Sequence, residues 1–317
     1  MSLYLRERVT GGLWGVIVGD ALGVPAEFKA RQVLKSAPVK GMTGYGTHMQ
    51  PLGTWSDDSS MMLCTMESFV ECGYKPEDMM ERFHRWLTDG LWRARGKVFD
   101  IGFTCQDAIL RYEQGLPAEQ WGAKGEKQNG NGSLMRLLPL PLYGKDWESK
   151  RLIESSFEVS ALTHAHIRAK LCCAIYSLVV QQLLQGLSLK DALKRAACEV
   201  DEYVPAEERD ILKDVLSGKV FERSEDEVSS SGYVLHCLEA SLWCCYNYKS
   251  FAQAVLGAVN LGYDTDTTAA VTGSLAGVMY GSPAVLDEWV LVLARCDDLA
   301  RLIEAFADCV FAQEEVG

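Results

Sequence analysis

The chain has no run of 18 uncharged apolar residues, so no membrane-spanning helix is expected. It has no CxxC and no Cys/His spacing of the zinc-binding kind, and its 11 cysteines are odd in number and lie mostly on apolar helical segments. Reduced core thiols in a cytoplasmic protein are the expectation. Met1 to Arg8 shows no signal-peptide apolar region, which agrees with that location. An excess of basic residues is also missing. The net charge of −12 argues against binding a nucleic-acid backbone, but leaves room for a nucleotide-like ligand held through metal ions and backbone amides. There is no run of alternating strands, no βαβ rhythm and no fixed-period repeat. What remains is 317 residues, 48 % hydrophobic and 23 % charged, which is ordinary for a soluble globular chain able to bury a sizeable core. A single all-α domain over residues 1–317, of roughly a dozen helices, is expected.

The helical pattern of Tyr4 to Leu22 ends at Gly23-Val24-Pro25. Glycines 11, 12, 15 and 19 fall at spacings of three and four and leave one face bare, suited to close helix contact or to backbone approach to a ligand. Asp20 and Glu27 flank the break, and Glu27 is placed to point into a site. Residues 29–53 read as loop or short extended pieces, and loops of that length usually serve a function. Further helices are expected over Asp57–Glu71 and Met79–Leu87, from Asp100-Ile101-Gly102 to about Tyr112, and over Ile167–Val200 with a break near Gly186. Four more cover Leu238–Cys245, Ser250–Asn260, Thr267–Tyr280 and Pro283–Phe311. The charged stretch Glu207 to Glu227 reads as a surface excursion, and Gln313 to Glu315 as a frayed end.

Two acidic helix starts stand out. In Thr54-Trp55-Ser56-Asp57-Asp58-Ser59, Ser56 has the chemistry of an N-cap, and Asp57 and Asp58 fall in the first turn, where the helix dipole tolerates anions. Alone this is an ordinary acidic cap. Gly262-Tyr263-Asp264-Thr265-Asp266-Thr267 repeats the theme before a long small-residue helix. Four carboxylates and two hydroxyls form an all-oxygen ligand set, suited to Mg²⁺ or Mn²⁺ rather than Zn²⁺ or Cu²⁺. Brought together without cations, four such charges repel and rise in pKa. If the stretches meet in space, one or two divalent ions are the natural resolution.

Other signals are weaker. Asn129-Gly130-Asn131-Gly132-Ser133 reads as a tight turn into a helix, with amides able to bind a phosphate or sugar hydroxyl. It lacks the Lys-Ser/Thr of a phosphate loop. His164 and His166 are two apart and do not share a helix face, so a hydrogen-bonding role suits them better than a metal pair. His48, His84 and His236 read as structural. Ser229 to Val234 is a loop suited to ligand contact, with Tyr233 available for stacking.

Taken in order, these motifs resemble the ADP-ribosylglycohydrolase family. The likeness runs through Gly19-Asp20-Ala21-Leu22-Gly23 with Glu27, Ser56-Asp57-Asp58-Ser59, Asp100-Ile101-Gly102, and Gly130-Asn131-Gly132 with Met135-Arg136. It continues through Thr163-His164-Ala165-His166, Ser231-Gly232-Tyr233-Val234 and Asp264-Thr265-Asp266-Thr267. The resemblance implies a compact all-α fold around two Mg²⁺ or Mn²⁺ ions, with ligands at Ser56, Asp57, Asp58, Asp264, Asp266 and Thr267. It implies hydrolysis at C1″ of an ADP-ribosyl group, releasing ADP-ribose, with Glu27, Asp58 and Asp100 as candidate catalytic carboxylates. Gly102, Asn131, Gly132, Ser133, Ser231, Gly232 and Tyr233 are candidates for substrate contact, and His164 for the distal ribose or pyrophosphate. Serines stand at 56 and 59 where the family often has Thr, and Tyr263 stands where it usually has Gly. The loop 29–53 and the region of Asp100 vary in the family and shape the leaving-group pocket. An ADP-ribosylated protein side chain, arginine first, is the expected substrate. The alternatives are small-molecule ADP-ribose such as an acylated form, nucleic-acid-linked ADP-ribose, or a non-catalytic binder.

Overall fold

Two helices that meet along faces of small residues form the axis of the molecule, Ser2–Gly23 and Thr265–Tyr280. A Cβ on Gly15 would lie 2.0 Å from the Gly273 carbonyl oxygen, one on Gly19 2.1 Å from that of Ala269, and one on Gly11 2.7 Å from that of Gly277. The order of these pairs makes the helices antiparallel. The bare glycine face therefore serves backbone-to-backbone contact between helices. At its end, a Cβ on Gly23 would lie 2.3 Å from the Cα of Asp266. The packing that builds the core thus sets the acid-bearing start of one helix beside the end of the other.

The computed structural model of the chain describes residues 2–312, so the expected frayed end at 313–315 lies outside the described residues. Among the described residues there are fifteen α-helices and no strand, only three isolated bridges. The all-α architecture is as expected. The count exceeds a dozen because three helices have six residues or fewer: Arg31–Ser36, Pro139–Tyr143 and Asp287–Val290. Segments that short show no period to read. Arg31–Ser36 interrupts the stretch expected to be loop. The segment expected as one helix over 283–311 is divided, with Cys296–Ala312 as its long part. The turn at Asn131 leads into further turns rather than a helix until Pro139. Ala206–Ser217, expected as a surface excursion, buries Leu212 and Val215 and is held by Glu208, which pairs with buried Arg168 at 2.7 Å.

Val234–Asn247 and Phe251–Asn260 flank Thr265–Tyr280, and Ile167–Leu184 packs between Ser149–Ala161 and Leu189–Val200. Two stretches, Tyr4–Ala26 and Ile167–Leu184, have the length and mean hydropathy of a membrane span, but both are core elements packed inside the protein. None of the 11 cysteines is in a disulfide, and seven are buried.

Gly15→Ala tests the axis. The alanine gains about 1 kcal/mol in helix propensity. Against this, its methyl must displace the Gly273 backbone, and overpacking of that kind typically costs about 1–3 kcal/mol. The expected result is a net loss of stability, read as a lower urea midpoint at constant slope. An unchanged midpoint would mean that the two helices are free to move apart.

Candidate active site

The site is built on the start of the Asp57–Cys72 helix. The Ser56 hydroxyl caps it, accepting from the Asp58 amide at 3.2 Å. The anchor beneath is Asp20, which is fully buried. Its carboxylate accepts from the Ser56 amide at 2.9 and 3.0 Å, the Ser59 amide at 3.0 Å and the Ser59 hydroxyl at 2.5 Å. Asp20 is therefore the brace that holds this helix start against the end of the first helix. Sequence reasoning saw only that it flanks a break, since its partners lie 36 and 39 residues away.

The second acidic start arrives from the other side. The Thr265 hydroxyl donates to the Gly23 carbonyl at 2.8 Å, and buried Arg31 donates to the Leu261 carbonyl at 2.8 Å, fixing the turn before Asp264. The two starts meet. Carboxylate oxygens of Asp20, Asp58 and Asp266 lie within 4.8 Å of one another, as do those of Glu27, Asp264 and Asp266. Asp57, Asp264 and Thr267 reach the wall of a cavity of about 630 Å³, while Asp58 and Asp266 lie below it. Asp58, a candidate for proton transfer from sequence, presents no surface to that cavity.

This cluster is costly as it stands. Burial is the first cause that raises the pKa of every one of these acids, and neighbouring carboxylates add to it at Asp57, Asp58, Asp266, Glu27 and Asp100. Asp264 is raised less freely, because Asn131 and Thr267 hydrogen-bond to it. Asp20 is pushed up to about 6, its burial opposed by hydrogen bonds from Ser59 and Ser56. Asp58 Oδ1, Asp264 Oδ1 and Asp266 Oδ2 are buried without a hydrogen-bond partner. An unpaired buried acceptor is destabilising, and a hard divalent cation satisfies several at once. The residues present fit such a cation.

Beside the floor stands a second group. Glu27 is paired with His48, and His48 lies 3.8 Å from Asp100. Burial, followed by the charges of Asp266 and Asp264, pushes Glu27 up to about 10; burial and then Asp57 push Asp100 up to about 9. The expectation that His48 is merely structural is corrected. It lies in the glycine-bearing loop, against Phe28 and Phe99, and the Thr47 hydroxyl beside it donates to the Glu27 carbonyl at 2.6 Å. No spacing in the sequence links positions 27 and 48. The only clue was the length of the loop.

The opposite wall is made by two loops that clasp. The Asn131 amide donates to the Gly232 carbonyl at 3.0 Å, the Val234 amide to that of Asn129 at 2.9 Å, and the Asn131 side chain to Asp264 at 2.7 Å. Gly102, Asn131, Gly132, His164, Ser231 and Gly232 all face the cavity. His164 is held by the Thr163 hydroxyl at 2.8 Å, and burial pushes its pKa down to about 3, so it is neutral. Buried Arg136 braces this wall through the Gly132 carbonyl at 2.9 Å. Two candidates lie elsewhere. Ser133 points into the core, with Ser160 at 3.0 Å and the Cys173 sulfur at 3.5 Å. Tyr233 packs edge-on against His236 and beneath the Arg168 guanidinium rather than in the cavity wall. In both cases the side chain is turned away from the cavity that the preceding glycine lines.

At the mouth, Phe28 and Tyr263 have φ of 62° and 61°. Their strands of backbone are tied together, Phe28 N–H to the Tyr263 carbonyl at 2.6 Å and Tyr263 N–H to that of Lys29 at 2.8 Å. The left-handed conformation costs a side-chain-bearing residue roughly 1–2 kcal/mol. Position 263 is thus one where glycine would be free of strain, and the tyrosine there stands exposed over the cavity.

A helical floor of paired acidic starts beneath a nucleotide-sized cavity suits a hydrolase of a nucleotide-like substrate. The comparisons agree. Residues 1–315 match the family described as ADP-ribosylglycohydrolase. The ADP-ribosylarginine hydrolase Tri1 of Pseudomonas putida is 32 % identical over 306 residues, covering 95 % of this chain and 78 % of that protein. The ADP-ribosyl-[dinitrogen reductase] glycohydrolase of Rhodospirillum rubrum is 27 % identical over 294 residues, covering 90 % of each. A solved structure described as an ADP-ribosylglycohydrolase-related protein complex superposes with a TM-score of 0.82 at 29 % identity, covering 97 % of this chain and 99 % of that one. The chain belongs to the ADP-ribosylglycohydrolase family and is a glycosidase of ADP-ribosyl groups.

The raised acids set a pH signature. In the unfolded chain they titrate near about 4; in the cation-free fold Asp20 titrates at about 6, Asp100 at about 9 and Glu27 at about 10. The folded state therefore keeps protons that the unfolded state has released. The contribution of these acids to stability is full below about pH 4 and falls as pH rises through those values. In EDTA the melting temperature should fall from about pH 5 to about pH 8, and added Mg²⁺ or Mn²⁺ should restore it, more at the higher pH. A cation at about 100 Kd supplies about 2.7 kcal/mol, roughly 5 °C for a chain of this size. A melting temperature indifferent to both EDTA and cation would show that the carboxylates do not hold metal.

Proposed function

We propose that this enzyme releases ADP-ribose from ADP-ribosylated arginine side chains of proteins, by hydrolysis of the C1″ glycosidic bond, with two Mg²⁺ or Mn²⁺ ions held by Ser56, Asp57, Asp58, Asp264, Asp266 and Thr267. The observation that carries it is the shared position of Asp266. Its carboxylate lies within 4.8 Å of that of Asp58 in one close grouping and of Asp264 in another, so it joins the acids of the two helix starts and is suited to stand between two cations. The relatives named as hydrolases of ADP-ribosylarginine support the choice of arginine.

Bound there, the cations would supply an acidified water and a grip on the ribose hydroxyls. The chain's own groups do the rest. Asn131 and the amides of Gly130 and Gly132, in the cavity wall, are the groups assigned to the pyrophosphate, and neutral His164 offers a hydrogen bond without adding charge. Departure of the guanidine builds oxocarbenium character on the ribose, which the surrounding carboxylates stabilise. Glu27 and Asp100 face the cavity and are the groups that move a proton at the glycosidic bond. Acid–base help of this kind contributes about 10²–10⁴-fold. Asp58, buried below Asp57, acts as a holder. The bond from C1″ to nitrogen breaks, water supplies the new C1″ hydroxyl, and the remaining proton goes to the guanidine.

Turnover of arginine-, serine- and nucleic-acid-linked ADP-ribose, measured side by side, tests the substrate. Arginine should lead, and preference for either of the others would overturn that choice. Asp57→Asn and Asp264→Asn should each abolish turnover with an unchanged helical spectrum. Glu27→Gln should lower kcat by about 10²-fold or more with little change in KM. Full activity in both aspartate variants would remove the floor from the mechanism.

A further inference from the structure

The mouth of the cavity carries two costs that folding does not recover. The first is exposed apolar surface. Phe28 is 66 % exposed, Phe103 87 % and Tyr263 47 %, and all three border the cavity; Tyr45 at 60 % and Met49 at 69 % flank His48 in the loop laid across Val24–Glu27. That loop is seated closely: a Cβ on Gly46 would lie 2.1 Å from the Pro25 carbonyl oxygen. The second is backbone strain. Among the described residues seven other than glycine have left-handed φ, and four of them are Phe28, Tyr45, Met49 and Tyr263. A fifth is Asp100, on the same rim. Strain held at one place where its side chains gain no burial points to a use outside the fold, and clustered exposed aromatics point to an interaction surface.

We infer that this rim, with Tyr45 and Met49 as its outer part, is the docking surface for the polypeptide that flanks the modified side chain. The inference rests on the proposed function and deepens it. The cavity has room for the nucleotide, and Glu27 and Asp100 mark where its linkage is cut, so whatever extends beyond C1″ emerges between these side chains. The rim is spread over three chain segments and the first turn of the Phe103–Glu113 helix. With a net charge of −12 and carboxylates at the mouth, the occupant is a polypeptide rather than a nucleic acid, whose phosphates would be repelled.

The test is the double variant Tyr45→Gly with Met49→Asn, which removes the outer apolar groups and places residues that tolerate left-handed φ. Two substrates are compared, an ADP-ribosylarginine-bearing protein and free ADP-ribosylarginine, with ADP-ribose binding and melting temperature measured alongside. The expected result is a KM about tenfold higher on the protein, with kcat/KM on the free conjugate and the Kd for ADP-ribose within about twofold of wild type. The melting temperature should stay at or above that of wild type, which a merely structural role for these side chains would not give. Equal loss on both substrates, no loss on either, or weakened ADP-ribose binding would each overturn the surface while leaving the enzyme's function standing. A wild type that turns over neither substrate would overturn the proposed function itself, and this surface with it.

Discussion

The distance between two backbones decides where everything else in this protein goes. Along Gly11, Gly15 and Gly19 the first helix meets the small-residue helix beginning at Thr265 without intervening side chains. Such contact maximises dispersion between main chains and leaves no slack in the register. Gly23, one turn beyond Asp20, then meets the main chain of Asp266, and the carboxylates of Asp20 and Asp266 come within 4.8 Å of one another. A shift of one residue in that pairing would turn an acid into the core. The site is a by-product of helix packing, and its precision is inherited from it.

That inheritance explains how so much negative charge tolerates burial. Seven acids, Asp20, Glu27, Asp57, Asp58, Asp100, Asp264 and Asp266, all titrate high because they are desolvated, and at all but Asp20 and Asp264 neighbouring carboxylates add to the rise. Only Asp20 is well supplied with donors. It accepts from main-chain amides and a hydroxyl and is thereby committed to structure, whereas Asp58, Asp264 and Asp266 each keep an oxygen without a partner. The division of labour is physical. A carboxylate whose lone pairs are used by amides holds the helix start, and a carboxylate whose lone pairs are idle is available to a cation.

Much of this could be read from the chain itself. Ser56, Asp57 and Asp58 follow capping rules that need only local sequence, and the glycine spacing at 11, 15 and 19 announces a close contact without naming its partner. The six residues proposed as ligands were marked by their hydroxyl and carboxylate chemistry, which suits a hard divalent cation. What stayed hidden depends on long-range contact or on backbone direction. His48 is tied to Glu27 across a loop of irregular turns. Ser133 and Tyr233 sit within legible motifs but are turned toward Cys173 and Arg168, and no periodicity governs side-chain direction in a turn. Arg31 looks like a surface residue until its three main-chain acceptors, at Leu261, Glu225 and Val228, are seen.

The strain in the molecule has two addresses with different physics. At the floor it is electrostatic and stored in helix starts that core packing will not release, so relief comes from a proton or a counter-charge, and a substitution there disturbs the frame as well as the chemistry. At the mouth it is conformational and stored in single residues of loops, at Phe28, Tyr45, Met49, Asp100 and Tyr263. Each of those can be relieved by one change of side chain with the helices left in place. A glycosidase of this build can therefore keep its bond-breaking apparatus constant while its rim is reshaped, and it is at the rim that discrimination among the carriers of ADP-ribose is physically free to reside.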